Sequence, residues 1–359
     1  MVTWAYDHMI ECLSLIFAPT MKAWVLQKHG TPNEAFALRD MPDPIPAAGQ
    51  LLIRSEGFGL NYADVMARRG LYRDAPPPPC IIGYETVGRV ERCGEGVPDS
   101  LLGQRVVAMT RFGGYAQLAV TDHQAVSVVP DSLGIGEACA LATQGCTAWY
   151  MARYAWPLRA GQRVLIHSAA GGVGQLLVQM AVHEGCEVFA IASGTQKMAY
   201  LKQLGAHHVI DRSTGDYAQH VERALSGKRI DVSFNAVGGS SFKKDMKLIG
   251  SGGAVVLYGG AERGSGAGPF ATLGFVWRMG LTVPIFLMMK SQSLIGVNML
   301  RISEYQPALL GRCAQEVVNA VKAGWLKPHV HELFPAEKLA DAHAALEGGK
   351  SIGKVAVRW

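Results

Sequence analysis

The 359-residue sequence predicts a two-domain α/β protein, and three observations lead there. The first half reads as short strands broken by Gly and Pro, the second alternates apolar strands with amphipathic helices, and a Gly-rich turn joins the first of those strands to its helix. A chain of this length can fill two cores of ordinary size. Hydrophobic residues at 49% and charged residues at 18% suit a globular protein and exclude a disordered one.

Residues 1–20 contain no Lys or Arg, carry Asp7 and Glu11, and offer only the short apolar run Leu13–Ala18. That is a poor secretory signal, and it reads as an extension ahead of the fold. MKAWVLQ, from Met21, reads as the opening strand. Strands are then expected at Leu51–Ser55, Thr86–Cys93, Arg105–Met109 and Tyr115–Val120, with turns at 47–49 and 92–96. This spacing predicts a compact, mostly β, barrel-like domain. Four prolines within 75–79 make a stiff loop.

From Thr147 the texture changes. Strands are expected at Arg163–Ser168, Glu187–Ala192, His208–Asp211, Asp231–Ala236 and Ala254–Tyr258. Helices are expected at Val173–Glu184, Thr195–Leu204, Tyr217–Leu225 and Ser241–Ile249, several ending on a glycine (Gly185, Gly205, Gly227) suited to a left-handed cap. Apolar strands separated by amphipathic helices mean a parallel sheet covered on both faces, a doubly wound nucleotide-binding domain. After Ser293 come a helix, Pro307–Ala323, and a last strand, Lys354–Arg358, which returns to complete the first domain. The expected division is 21–146 completed by 295–359, with 147–294 between them.

The strongest local signal is RVLIHSAAGGVGQLLVQMA, residues 163–181. Its turn, Ala170, Gly171, Gly172, Val173 and Gly174, has the form that seats a dinucleotide pyrophosphate on a helix N-terminus. Gly171 lets backbone approach the ligand and Gly174 lets helix pack on strand, although Ala169 stands where the first glycine of GxGxxG belongs. The second strand ends in Ser193-Gly194-Thr195-Gln196-Lys197, without the acid that would bind a free 2′-hydroxyl. Ser193 and Lys197, with Arg212 past the third strand, suit a 2′-phosphate, so the expected cofactor is NADPH. Asn235, Val237, Tyr258 and Gly259 lie at carboxyl ends of strands and are expected to border it.

Other classes fall away. The net charge of +5 is scattered, which gives no nucleic-acid footprint. Seven widely spaced cysteines with no CxxC predict free thiols in a reducing, cytoplasmic setting, without disulfides or structural zinc. His207/His208 and His329/His331 lack acidic or Cys partners in sequence and read as surface or turn histidines. The longest apolar run, Leu281–Met289, has nine residues and includes Pro284, too short for a membrane span. Segment 270–290 is still unusually apolar: it suits a dimer or core surface, with a pocket cap or membrane contact as alternatives.

Together with NYADVMARRGLY (61–72), GYETVGRVERCGEGV (83–97), GCTAWY (145–150) and GKVAV (353–357), these features resemble the quinone oxidoreductase branch of the medium-chain dehydrogenase/reductase superfamily. Residues 61–70, the AAGGVG turn and the stretch 327–355 look closest to the vesicle amine transport protein-1 group. The resemblance implies a GroES-like catalytic domain, a Rossmann domain, an active site in the cleft between them, and a homodimer. At the catalytic-zinc positions of metal-dependent members stand Asn61 and Tyr84, poor Zn²⁺ ligands, so no metal is expected. Tyr72 matches the family's active-site tyrosine, Asn61 would hold the substrate oxygen or the nicotinamide amide, and Tyr62 would line the pocket. Thr147 matches a threonine near the nicotinamide ribose, and Lys350 falls where family members approach the cofactor phosphates. The implied reaction is hydride transfer from NADPH to a quinone or α,β-unsaturated carbonyl. An enoyl-thioester reductase is one alternative; a weakly catalytic NADPH-binding protein associated with lipid or membrane is another.

Overall fold

The computed structural model describes residues 20–266 and 268–359. The extension read at residues 1–20, with Cys12, therefore lies outside the described residues except for Thr20, which opens the first strand, Thr20–Leu26. That strand pairs antiparallel with Phe36–Pro42 as a two-stranded ribbon.

The catalytic unit is built on a seven-stranded sheet in which Val330–Pro335, Lys354–Arg358, Gln50–Leu60, Glu85–Cys93, Arg105–Met109 and Val126–Val128 lie in that order. Leu118–Asp122 pairs the other part of Gln50–Leu60. The C-terminal return expected from the sequence is thus present, with Val355 opposite Leu60 in antiparallel register. That register matters because it brings the start of the last strand to the end of a strand nearly three hundred residues earlier.

The nucleotide-binding unit is a six-stranded, wholly parallel sheet. Its strands lie in the order His208–Asp211, Glu187–Ala192, Arg163–Ile166, Ile230–Asn235, Ile249–Leu257, Ser293–Gly296. The order reverses beside Arg163–Ile166, and ligands bind such sheets at that switch, outside the carboxyl ends of the strands. The four inner strands each bury a run of Val, Ile, Leu, Ala or Phe, as a sheet covered on both faces requires. Residues 295 and 296 belong to this sheet, so the expected division at 294/295 cuts through its last strand.

Segment 270–290 forms two helices, Gly268–Met279 and Pro284–Lys290, with Gly280 between them at φ 77°. The reading that no stretch is apolar enough to cross a membrane needs correction. Over Phe270–Lys290 the mean hydropathy is 1.5 with none of it buried, and by length and composition it qualifies. A count of uninterrupted apolar runs misses this, because Arg278 and Gly280 break the segment.

Candidate active site

The site starts where strand Gln50–Leu60 gives way to helix Tyr62–Arg68. Asn61 is the extended residue before the helix, and its backbone N–H donates to Asp64 Oδ2 at 2.7 Å. Its side chain is held at both ends. Nδ2 donates to Glu85 Oε1 at 3.1 Å, and Oδ1 accepts from Lys354 Nζ at 3.2 Å. Lys354 also donates to the Leu60 carbonyl at 3.2 Å, and Glu85 Oε2 accepts from the Thr143 N–H at 2.7 Å. Lys354 and Glu85 are ion-paired and wholly buried. A carboxamide has two N–H donors, and Glu85 Oε1 takes one of them. Gly59 is what makes room, because a Cβ there would stand 2.2 Å from both Glu85 Oε1 and Lys354 Cε.

Asp64, fully buried beneath this cluster, has its carboxyl pushed up to about 8, mainly by desolvation. The sign follows from linkage. Between its ordinary 3.8 and about 8 the folded chain keeps a proton that the unfolded chain gives up, so stability falls as pH rises through that window. Asp64→Asn should flatten the fall, as read by denaturant midpoints at several pH values; an unchanged pH dependence would remove Asp64 as its source.

Two phenols stand near Asp64, whose carboxyl accepts from the Asn61 N–H. Tyr72 and Tyr84 meet edge to face, ring centroids 5.9 Å apart at 76°. The Tyr84 hydroxyl is buried and interacts with that of Tyr72, and burial raises both phenols above their ordinary value. Both are therefore proton donors at any working pH. Tyr62 is half-buried, its hydroxyl 2.5 Å from where a Cβ of Gly264 would stand, so it lies at the junction with segment Ala261–Ser265 of the other unit.

Across the cleft the Gly-rich turn has the geometry the sequence suggested. Ser168 takes a left-handed φ of 49°, Gly171 N–H closes onto the Ser168 carbonyl at 2.8 Å, and helix Gly172–His183 begins. A Cβ on Gly174 would stand 2.3 Å from the Ser168 carbonyl oxygen and 2.7 Å from Ala169 Cα, so only glycine lets helix and strand approach. Gly353 N–H donates to the Ala170 carbonyl at 2.8 Å, tying the turn to the strand that begins with Lys354. Val173 is partly buried and packs on the larger core.

At the far end Arg212 Nε donates to Ser193 Oγ at 2.9 Å, and Lys197 Nζ donates to the Gly349 carbonyl at 2.5 Å. Burial, then Arg212, lowers the Lys197 ammonium, as expected of two cations gathered in one corner. Lys350 is exposed beside Gly349. Asp211, the nearby acid, is turned onto Ser213, whose N–H and hydroxyl it accepts at 2.8 and 2.6 Å.

Other expected residues differ in what they offer. Thr147 Oγ1 is spent on the Thr143 carbonyl at 2.5 Å. Asn235 is fully buried, donates to Asp245 Oδ2 at 2.6 Å and accepts from Val237 and Gly238 N–H at 2.8 and 2.9 Å. Its side chain shapes the loop, leaving backbone from Val237 onward to face the cleft. Tyr258 is partly buried, and Gly259 is required because a Cβ would stand 2.6 Å from the Ala236 carbonyl oxygen.

Four contributors escaped the sequence reading: Tyr84 as a phenol, Glu85, Lys354 and Gln144. A lysine opening an otherwise apolar strand, KVAV, and a glutamine inside the apolar run 138–152 were the available signals. The histidine reading needs one correction: His208 Nε2 does have an acidic partner, Glu187 at 2.8 Å, on the neighbouring strand. Among the described residues, no three His, Cys, Asp or Glu side chains gather as a metal-ligand set, and the six described cysteines are free.

A barrel-like unit joined to a parallel sheet with a Gly-rich strand-to-helix turn is the architecture of alcohol-dehydrogenase-like oxidoreductases. Residues 47–157 match the alcohol dehydrogenase GroES-like domain, and residues 172–315 match the zinc-binding dehydrogenase family. The human synaptic vesicle membrane protein VAT-1 homolog is 33% identical over 320 residues, 88% of this chain and 81% of its own length. Among solved structures, a Pseudomonas syringae quinone oxidoreductase superposes with a TM-score of 0.83 at 27% identity, covering 94% of this chain and all of its own. A mycobacterial protein complexed with NADPH superposes at 0.81 with 28% identity, covering 94% of this chain and 100% of that one. The chain belongs to the medium-chain dehydrogenase/reductase superfamily, in its zinc-independent quinone oxidoreductase branch and the VAT-1-like group.

Proposed function

We propose that the protein binds NADPH and reduces a quinone or an α,β-unsaturated carbonyl compound in the cleft between its two units. One observation carries this reading: the Asn61 carboxamide is fixed by Glu85 and Lys354 with an N–H to spare, and the phenols of Tyr72 and Tyr84 stand near Asp64. When bound, NADPH supplies a hydride from C4 of its nicotinamide. The rest falls to the chain. Asn61 N–H and the Tyr72 hydroxyl hold the substrate oxygen, where negative charge grows as the hydride arrives. Tyr72 then delivers a proton to that oxygen, or to the enolate carbon through solvent. Tyr62 walls the pocket, the turn 170–174 receives the pyrophosphate, and Thr147, Val237, Tyr258 and Gly259 border the nicotinamide half. NADPH consumption with a panel of quinones, enones and enoyl thioesters tests the reading. Turnover of free quinones or enones supports it, preference for thioesters would favour an enoyl-thioester reductase, and no turnover of any class would overturn it.

The corner of Ser193, Lys197 and Arg212, with Lys350 at its rim, supports a 2′-phosphate site. Lys197→Ala with Arg212→Ala should raise the Kd for NADPH by about 10–100-fold, one to two lost charge-assisted contacts. Affinity for NADH should not change. Equal loss for both nucleotides would contradict the assignment.

A second reading, attachment to a lipid surface, is favoured by the exposure of 270–290, where Trp277 is 81% and Leu281 92% exposed. We favour self-association on this face. The segment is broken at Gly280 into two helices, and the face adjoins the edge strand Ser293–Gly296. Trp277→Glu with Leu281→Glu should convert a dimer to a monomer in light scattering. A wild-type monomer that floats with liposomes would support the lipid reading.

A further inference from the structure

We infer that Gln144 is a binding residue for the nicotinamide half of the dinucleotide, an inference that rests on the NADPH reading above. Gln144 sits in the π-helical turn Leu141–Gly145, between the helices Ile135–Ala140 and Cys146–Tyr150. Such one-turn π segments push a side chain out of helical register and recur at functional sites. Here the displaced side chain crosses the cleft. A Cβ on Gly172, the first residue of the nucleotide-binding helix, would stand 2.0 Å from Gln144 Oε1 and 2.2 Å from its Cδ. The bare Cα of Gly172 is thus the surface on which the Gln144 amide rests.

The side chain is 6% exposed, and its Oε1 is buried with no hydrogen-bond partner. Its Nε2 lies 3.5 Å from the Leu60 carbonyl, so the amide bridges the end of strand Gln50–Leu60 and the start of helix Gly172–His183. Buried amide oxygens are almost always paired, so one left open at a ligand-binding turn awaits a donor. A pyrophosphate has no donor to give. The nicotinamide does, in its carboxamide NH₂. Position agrees with chemistry. Gln144 lies at the end of the turn next to Leu60 and Asn61, whereas the corner suited to a 2′-phosphate, at Ser193 and Arg212, lies at the other end. The neighbouring Thr143 N–H donates to Glu85, the carboxylate that also holds Asn61, so Gln144 and Asn61 are set by one buried group.

The test compares NADPH with 2′-phospho-ADP-ribose, the same nucleotide without its nicotinamide, by calorimetric titration of wild type and Gln144→Met. The expected result is a Kd for NADPH raised about tenfold, the size of one hydrogen bond to a buried acceptor, with the Kd for 2′-phospho-ADP-ribose unchanged. Equal weakening of both ligands in a variant that melts like wild type would overturn the inference, and so would unchanged NADPH affinity. If the Met variant fails to fold, Gln144→Asn, which keeps the amide but shortens its reach, is read by the same two ligands. Wild type that binds neither nucleotide would overturn the NADPH reading and this inference together. Wild type that binds both, with a variant indifferent to the nicotinamide, would overturn this inference alone.

Discussion

Lys354→Met should lower the stability of the protein by about 3–5 kcal/mol, because it strands the Glu85 carboxylate in the interior without its cation. The cost is that of an unpaired buried charge, more than the net worth of the pair. Lys354→Met with Glu85→Gln should therefore recover much of the stability, since a neutral amide replaces the stranded carboxylate and its one oxygen can still accept from the Thr143 N–H. Activity should not recover with it. Asn61 Oδ1 has lost its donor, the amide is free to turn, and kcat should stay low while NADPH affinity is preserved. Denaturant melts and steady-state kinetics on the two variants separate these outcomes. If both variants keep wild-type kcat, the buried pair is structural and Asn61 needs no such support.

Tyr72→Phe should reduce kcat by about 100-fold, the lower range for loss of a positioned general acid. Nucleotide binding should be untouched, since the phenol stands with Tyr84 near Asp64, at the reacting end. Its pH behaviour is a sharper check. Burial raises the Tyr72 phenol above its ordinary 10.0, so the wild-type rate should persist to higher pH than a solvated tyrosine would allow. A rate that falls on a pKa below 10.0 would mean that another group supplies the proton. Tyr84→Phe serves as the comparison, because its buried hydroxyl interacts with that of Tyr72. A large effect there would mean the two phenols act jointly.

The fold was largely legible. Strands Arg105–Met109, Glu187–Ala192, His208–Asp211 and Lys354–Arg358, and helix Tyr217–Leu225, have the ends the sequence suggested. Each is a short apolar or strongly amphipathic run between turn residues, where local pattern and tertiary demand agree. What escaped notice has no such pattern. The edge strand Ser293–Gly296 is four residues of no marked alternation, made a strand by pairing with Ile249–Leu257. The π-helical turn at 141–145 leaves no compositional trace except Gln144 itself.

The site divides the same way. Asn61, Tyr72 and the turn at 170–174 stand in contiguous motifs, and the chain carries their spacing in plain view. Glu85 and Lys354 lie 24 and 293 residues from Asn61, and only the antiparallel register of Val355 with Leu60 brings them to its side chain. Asn235 shows the converse: strand order placed it correctly at the switch point, but its hydrogen bonds to Asp245, Val237 and Gly238 use up the side chain that was to meet the cofactor. Position followed from topology; availability depended on partners that only the packed interior reveals.

The most direct measurement follows a label. NADPH carrying deuterium at C4 of the nicotinamide, on the face that reacts, would be incubated with a quinone and with a cyclic enone, and the products read by mass spectrometry and NMR. The account predicts stoichiometric loss of deuterium from the nucleotide, its appearance at the β-carbon of the reduced enone, and slowing of both by Asn61→Ala. Nucleotide that binds but keeps its deuterium with every acceptor, or enone product that carries none, would contradict hydride delivery in this cleft.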